Sequence, residues 1–231
     1  MDIPKLHYIS QGNSPKEHLE NIQKACSSGV ELVQLRLKIT SKKKILKCAH
    51  EAREITSHFQ TRLLINDYYK IAKEVKADGV HLGKTDVCPT LARKHLHTWQ
   101  MIGGTANTIE DCESLLDKQI DYISLGPFRE TTTKDTVGPF LGLKGYTAIT
   151  DILKTPIPII GVGGITIADV EAILKAGISG LAVSQAITQD FNSIRTFNQL
   201  LSALKFKRTG KWLETRLIMA LPVNLAITIA L

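Results

Sequence analysis

Residues 158–184 read PIIGVGGITIADVEAILKAGISGLAVS, and their layout decides the fold. Pro158–Gly163 is a short apolar run, and Ile167–Ala176 carries helical spacing that stops at Gly177. Gly180–Ser184 then repeats the apolar run. Neither run alternates polar and apolar residues, which is how a strand covered on both faces looks. The stretch is one strand–helix–strand unit of a parallel sheet.

Working outward, the same unit recurs along the chain. Leu6–Ser10, Leu32–Arg36, Arg62–Asn66 and Gly79–Gly83 read as four strands, and Met101–Thr105 and Tyr122–Gly126 as two more. Helical patterns lie between them. Ser14-Pro15-Lys16-Glu17 has the layout of a capping box, with Gly29 after the helix it opens, and Thr40 or Ser41 can cap the next helix. Eight strand–helix alternations predict an α/β fold, a single (β/α)8 TIM barrel over residues 1–207, with residues 208–231 as a C-terminal extension. The alternative is an open doubly wound sheet. The first strand is not followed by a G-x-G-x-x-G turn, which counts against a dinucleotide domain.

The chain has 231 residues, 43% hydrophobic and 22% charged, an ordinary balance for a globular domain that buries a core. Its formal net charge of +7 is concentrated late. After Leu204 come Lys205, Lys207, Arg208, Lys211 and Arg216 against Glu214 alone, and without them 24 basic and 21 acidic residues remain. The body carries no basic stripe interleaved with aromatics, so nucleic acid is not an expected partner. The four cysteines (Cys26, Cys48, Cys88 and Cys112) form no C-x-x-C pair, and reduced thiols in a cytoplasmic protein are the expectation. Met1-Asp2-Ile3-Pro4-Lys5 lacks the layout of a signal peptide. Leu217–Leu231 is an uncharged run of 15 residues broken by Pro222, short of the ~20 that span a bilayer, so no membrane span is expected.

In a barrel, polar residues at the C-terminal strand ends face the active site. Here they are Gln34, Arg36 and Lys38 after the second strand, Asn66 and Asp67 after the third, and His81 and Asp86 with the fourth. Thr105 and Asn107 follow the fifth, Ser124 belongs to the sixth, Gly161, Gly163 and Gly164 close the seventh, and Ser184 closes the eighth. Two carboxylates, several cations and several hydroxyls at one mouth suit a metal-bound polyphosphate. Each aspartate could instead cap the helix that follows it. Arg36 and Lys38 fall on one side of an extended chain, suited to gripping phosphate, though a solvated charge pair has the same pattern. His81 reads as a histidine satisfied in the barrel interior. The glycines after the seventh strand let backbone approach a ligand beside a helix N-terminus, and with Val183 and Ser184 they make a candidate second phosphate site.

The longest gap between strands begins with a polar, glycine-bearing loop from Pro127 to about Lys144. It holds Thr131-Thr132-Thr133-Lys134 and reads as a lid over phosphate. Lys134 alone would pass for a surface lysine. Hydroxyls and backbone N–H groups beside it make an anion site.

Taken in order, these stretches resemble the thiamine phosphate synthase family. The resemblance rests on Val33-Gln34-Leu35-Arg36-Leu37-Lys38, Leu63-Leu64-Ile65-Asn66-Asp67 and Ala77-Asp78-Gly79-Val80-His81-Leu82-Gly83. It continues through Asp121-Tyr122-Ile123-Ser124-Leu125-Gly126-Pro127-Phe128, Thr131 to Lys134, Gly161 to Ile165 and Ala182-Val183-Ser184, covering roughly residues 5–205. It implies an Mg²⁺-dependent transferase that joins a pyrimidine pyrophosphate to a thiazole phosphate. Arg36, Lys38 and Lys134 would be the catalytic cations, holding the pyrophosphate with Asn66 and with Thr105 nearby. Asp67 and Asp86 would bind Mg²⁺, and Gln34 would approach the pyrimidine ring. Thr131, Thr133, Gly164, Val183 and Ser184 would hold the thiazole phosphate.

Two positions depart from the family's pattern: Lys84 stands where Gln is common, and Thr105 where Ser is common. The tail after about Lys207 has no counterpart. The implied chemistry needs no protein nucleophile, only leaving-group stabilisation and alignment of two substrates. A related thiazole tautomerase would need a histidine just after the fifth strand, where this chain has Thr105-Ala106-Asn107. A non-catalytic phosphate-ligand sensor on the same barrel is the other alternative. A homo-oligomer is compatible with the sequence.

Overall fold

A computed structural model describes residues 2–38, 41–130 and 140–203. Eight parallel strands close into a barrel in sequence order: β1 (Leu6–Ile9), β2 (Leu32–Leu35), β3 (Arg62–Asn66), β4 (Gly79–Leu82), β5 (Met101–Ala106), β6 (Tyr122–Leu125), β7 (Ile159–Val162) and β8 (Gly180–Val183). The helices between them are α1 (Pro15–Ser27), α2 (Lys42–His58), α3 (Tyr69–Glu74), α4 (Pro89–His95), α5 (Ile109–Leu116), α6 (Gly142–Leu153) and α7 (Val170–Lys175), with α8 (Gln185–Gln189) and α9 (Ser193–Ala203) after β8. The closed barrel replaces the open-sheet alternative. The extension at residues 208–231 lies outside the described residues.

Every residue of β2, β4, β5, β6 and β8 is buried, which is why these runs are mostly apolar and do not alternate, with Gln34, His81, Thr105 and Ser124 as their buried polar members. One side of each strand packs under the helices in a single large cluster. The other sides meet inside the barrel, where Leu32, Leu64, Met101, Tyr122, Ile160 and Ala182 form a separate layer with Ile3. Two aspartates hold the N-terminal end together. Asp78 Oδ2 accepts from Leu63 N at 2.8 Å and Arg53 Nη1 at 2.6 Å, and Asp121 Oδ2 accepts from Ile102 N at 2.7 Å and Arg93 Nη2 at 2.6 Å.

The local signals are realised with three adjustments. Ser14 Oγ caps α1 by accepting from Glu17 N, but Glu17 Oε2 takes the N–H of Asn13 at 2.7 Å, so the reciprocal half of the box is displaced by one residue. Ser41 occupies the N-cap of α2 without a side-chain cap bond. Residues 167–176 begin as a 3₁₀ turn, Ile167–Asp169, before α7, because Asp169 folds back to accept from Thr166 N at 2.8 Å.

The long loop also ends earlier than its composition suggests, since Gly142, Lys144 and Gly145 lie in α6. Leu141 N and Gly142 N each donate at 2.9 Å to Pro127 O and Phe128 O, which pins the helix start beside β6. Buried Tyr146 then locks α6 down, its hydroxyl donating to Leu125 O at 3.0 Å and accepting from Val162 N at 3.2 Å. No helix among the described residues is long and apolar enough to cross a membrane.

Candidate active site

The C-terminal ends of the strands gather the candidate residues at one mouth. At the end of β2, Gln34 is buried and its Nε2 donates to Asn66 Oδ1 on β3 at 3.1 Å. Arg36 follows, its backbone N–H donating to Ser10 Oγ at 3.1 Å. Ser10 Oγ also meets His18 Nδ1 on α1 at 2.8 Å. Arg36 and Lys38 form one wall of a cavity of about 310 Å³ whose other wall is the turn after β1, from Ser10 to Ser14, with His18 behind it. The side-chain oxygen of Gln11 in that turn is buried and has no hydrogen-bond partner among the described residues.

The two acidic candidates meet. Asp67 sits just past β3 in the left-handed region at φ 67, with its N–H donating to His81 O at 2.8 Å. From there its carboxyl lies beside the side chains of Asp86 and Asn66 and in the field of Arg36. Burial, then the hydrogen bond and charge of Asp86, push the Asp67 carboxyl up to about 7, while Arg36 and Asn66 pull the other way. Asp86 is held by Gly83 N, which donates to its Oδ2 at 2.6 Å. Neither carboxylate caps the following helix: the N-cap positions of α3 and α4 are Tyr68 and Cys88. The capping alternative therefore falls.

Lys84, two residues before Asp86, turns aside and pairs with Asp111 Oδ2 at 2.8 Å. On β5, buried Thr105 Oγ1 lies 2.9 Å from His81 Nε2, and the other ring nitrogen of His81 lies 2.9 Å from the Tyr122 hydroxyl. His81 is thus satisfied inside the barrel, as a strand histidine there should be. Asn107 Nδ2 donates to Gly126 O, so this side chain is engaged in bracing β5 against β6. Ser124 is buried on β6.

On the opposite side of the mouth, Gly163 and Gly164 follow β7 with φ values of 101 and 66. A Cβ at Gly163 would come within 2.6 Å of Pro127 Cβ, and one at Gly164 within 2.4 Å of Arg129 Cγ, so backbone replaces side chain at both positions. Val183 ends β8 fully buried, and Ser184 Oγ beyond it is buried with no hydrogen-bond partner among the described residues. A buried hydroxyl without a partner, on the loop after β8 and next to the loop after β7, is poised to bond an anion. Thr131, Thr133 and Lys134 lie outside the described residues.

The strand-end rule misses Ser10 and His18. Ser10 does end the first strand run, so its position is the signal. His18 shows none, because one histidine on an amphipathic helix looks like any other core-facing polar residue. Among the described residues no group of three or more His, Cys, Asp or Glu side chains could hold a metal ion. The carboxyl pair, however, has the donor set of an ion that takes one or two carboxylates and completes its shell with water and substrate oxygens. Two acids pressed together, one of them raised toward neutrality, are what a divalent cation relieves.

Similarity to known proteins identifies the family. The family profile described as "Thiamine monophosphate synthase" matches residues 6–187. The chain is 41% identical over 199 residues to a thiamine-phosphate synthase of Flavobacterium psychrophilum, covering 85% of this chain and 97% of that one. It is 40% identical over 188 residues to the thiamine-phosphate synthase of Flavobacterium johnsoniae, covering 80% and 89%. Among solved structures, thiamine phosphate pyrophosphorylase from Pyrococcus furiosus superposes with a TM-score of 0.75 at 23% identity, covering 87% of this chain and 96% of that one, which speaks for the fold alone. The chain belongs to the thiamine monophosphate synthase family.

Proposed function

We propose that this chain is a thiamine phosphate synthase, which joins an aminopyrimidine-methyl pyrophosphate to a thiazole phosphate. The C–O bond between the pyrimidine methylene and the pyrophosphate breaks, its electron pair leaving with pyrophosphate. The thiazole nitrogen gives its lone pair to the methylene carbon, forming the new C–N bond. The observation that carries this reading is the meeting of the Asp67 and Asp86 carboxyls beside Arg36 and Asn66 at the barrel mouth.

In this reading Arg36, Lys38, Asn66 and, from the long loop, Lys134 hold the pyrophosphate. An arginine fork and an ammonium neutralise charge as it builds on the departing group, the stage at which stabilisation accelerates the reaction. Asp67 and Asp86 would hold Mg²⁺, which when bound supplies Lewis-acid stabilisation to the pyrophosphate oxygens. Gln34, fixed by its bond to Asn66, faces the pyrimidine, and Thr105 lies near the pyrophosphate. Gly164, Val183 and Ser184, with Thr131 and Thr133, receive the thiazole phosphate. Two anionic substrates held on opposite sides of one mouth are aligned so that the thiazole nitrogen captures the methylene carbocation, supported by the aminopyrimidine, that pyrophosphate leaves behind.

The tautomerase alternative is disfavoured by Asn107: the position just after β5 carries an amide bonded to Gly126 O. Turnover separates the synthase from a sensor. Purified protein given both substrates and Mg²⁺ should form thiamine phosphate and release pyrophosphate, and EDTA should stop it. Binding of either substrate without product would overturn the proposal.

A further inference from the structure

A line of polar groups crosses the barrel interior from β6 to β5 by way of β4. The Tyr122 hydroxyl lies 2.9 Å from His81 Nδ1, and His81 Nε2 lies 2.9 Å from Thr105 Oγ1. Tyr122 reaches β4 only because β5 carries Gly103 between them: a Cβ there would stand 2.0 Å from the phenol ring at Cζ. His7 on β1 packs edge-on against the same ring at 5.2 Å between centroids. The phenol is therefore held between β1 and β4, and Tyr122 is 1% exposed.

The direction of these bonds follows from what each group can donate. A neutral imidazole has one donor and one acceptor nitrogen. Among the described residues the Tyr122 hydroxyl has one hydrogen-bond partner, His81 Nδ1, so its proton is satisfied only if Nδ1 accepts. The reverse arrangement leaves a phenolic proton unpaired in an apolar interior. With Nδ1 accepting, Nε2 carries the proton and donates to Thr105 Oγ1. One oxygen lone pair of Thr105 is thereby occupied, and its own proton is free for an acceptor at the mouth.

We infer that Tyr122 and His81 are positioning residues that fix the Thr105 hydroxyl as a donor to an anionic oxygen of the substrate. The inference rests on the synthase reading for the identity of that oxygen. It gives a physical reason for a hydroxyl at position 105, whether threonine or serine. The reversed relay would present the leaving group with a lone pair where it needs a proton.

The test has a spectroscopic and a kinetic part, both on the full chain. In ¹⁵N-labelled protein, two-bond proton–nitrogen correlations report the tautomer of His81, whose signals are identified by their loss in His81→Gln. The expected result is a protonated Nε2 and an unprotonated Nδ1 in the wild-type protein, and loss of that fixed tautomer in Tyr122→Phe, which keeps the ring and its packing. Thr105→Val and Tyr122→Phe should each lower kcat by about 10- to 100-fold, the worth of a hydrogen bond to a charged group. The KM for the thiazole phosphate should stay within about twofold. The double variant should be little worse than Thr105→Val alone. An Nδ1-protonated His81, or losses that multiply in the double variant, would overturn the relay. A wild-type protein with no turnover would instead overturn the synthase reading, with the tautomer spectrum still deciding the relay.

Discussion

Removing the Asp67 carboxylate should make this protein more stable, and the pH dependence of that gain tests the geometry of the mouth. In the ion-free protein the Asp67 carboxyl is raised from 3.8 to about 7, first by burial and then by Asp86. A group that holds its proton more tightly when folded adds stability at acid pH, below its unfolded pKa. It loses that contribution as pH rises through the folded value. The window is therefore about pH 4 to 7. The displacement corresponds to about 4 kcal/mol at most. Asp67 is only partly buried, so solvent screening reduces this to about 2 kcal/mol.

The perturbation is Asp67→Asn. Asparagine keeps the side-chain shape and tolerates the left-handed backbone at φ 67, so little else changes. In EDTA at pH 8 the variant should melt about 4 to 8 °C above the wild type, and at pH 5 the gap should shrink toward zero. His7, pushed down to about 4 by burial, and His18, also lowered chiefly by burial, pull oppositely: both gain stability as pH rises. Both remain in the variant, so the difference between the two curves isolates Asp67. Millimolar Mg²⁺ at pH 8 should raise the wild-type midpoint and leave that of the variant nearly unchanged, while the variant loses turnover. Differential scanning calorimetry across pH 5 to 8 reads the stability. A gap independent of pH, or a variant less stable at pH 8, would refute the reasoning.

Other substitutions separate site from scaffold. Ser184→Ala should leave the melting temperature unchanged, since among the described residues the hydroxyl has no partner to lose, and raise the KM for the thiazole phosphate by about tenfold; a drop in stability with KM intact would contradict the assignment. Asp78→Ala strands the Leu63 N–H and the Arg53 guanidinium at the far end of the barrel, so it should cost about 1 to 3 kcal/mol in denaturant unfolding with kcat unchanged. Lys84→Gln should leave the Mg²⁺ concentration for half-maximal activity unaltered, because the ammonium is already bound to Asp111; a clear shift would mean that its charge reaches the carboxyl pair.

The fold was legible because short, non-alternating apolar runs recur eight times along the chain with helical spacing between them, the pattern of parallel strands buried on both faces. The bounds were less so. Gly142 and Gly145 look like loop residues by composition, yet Leu141 and Gly142 bond to Pro127 and Phe128 and start α6 there. That anchoring is tertiary, and no local pattern reports it.

The site divides the same way. A residue that ends a strand is visible in the chain, so Gln34, Asn66, Asp67 and Ser184 could be named from position alone. What each one touches depends on barrel closure. Asp67 and Asp86 lie on successive loops and meet only because β3 and β4 are parallel neighbours in the register Asn66 to His81. His81 in turn faces Gly103, and that missing side chain lets Tyr122 span a whole strand. A tyrosine in a strand reads as core, and here it is core by area. Its hydroxyl gains a second role from an absence one strand away, and such a role becomes readable only when three strands are laid side by side.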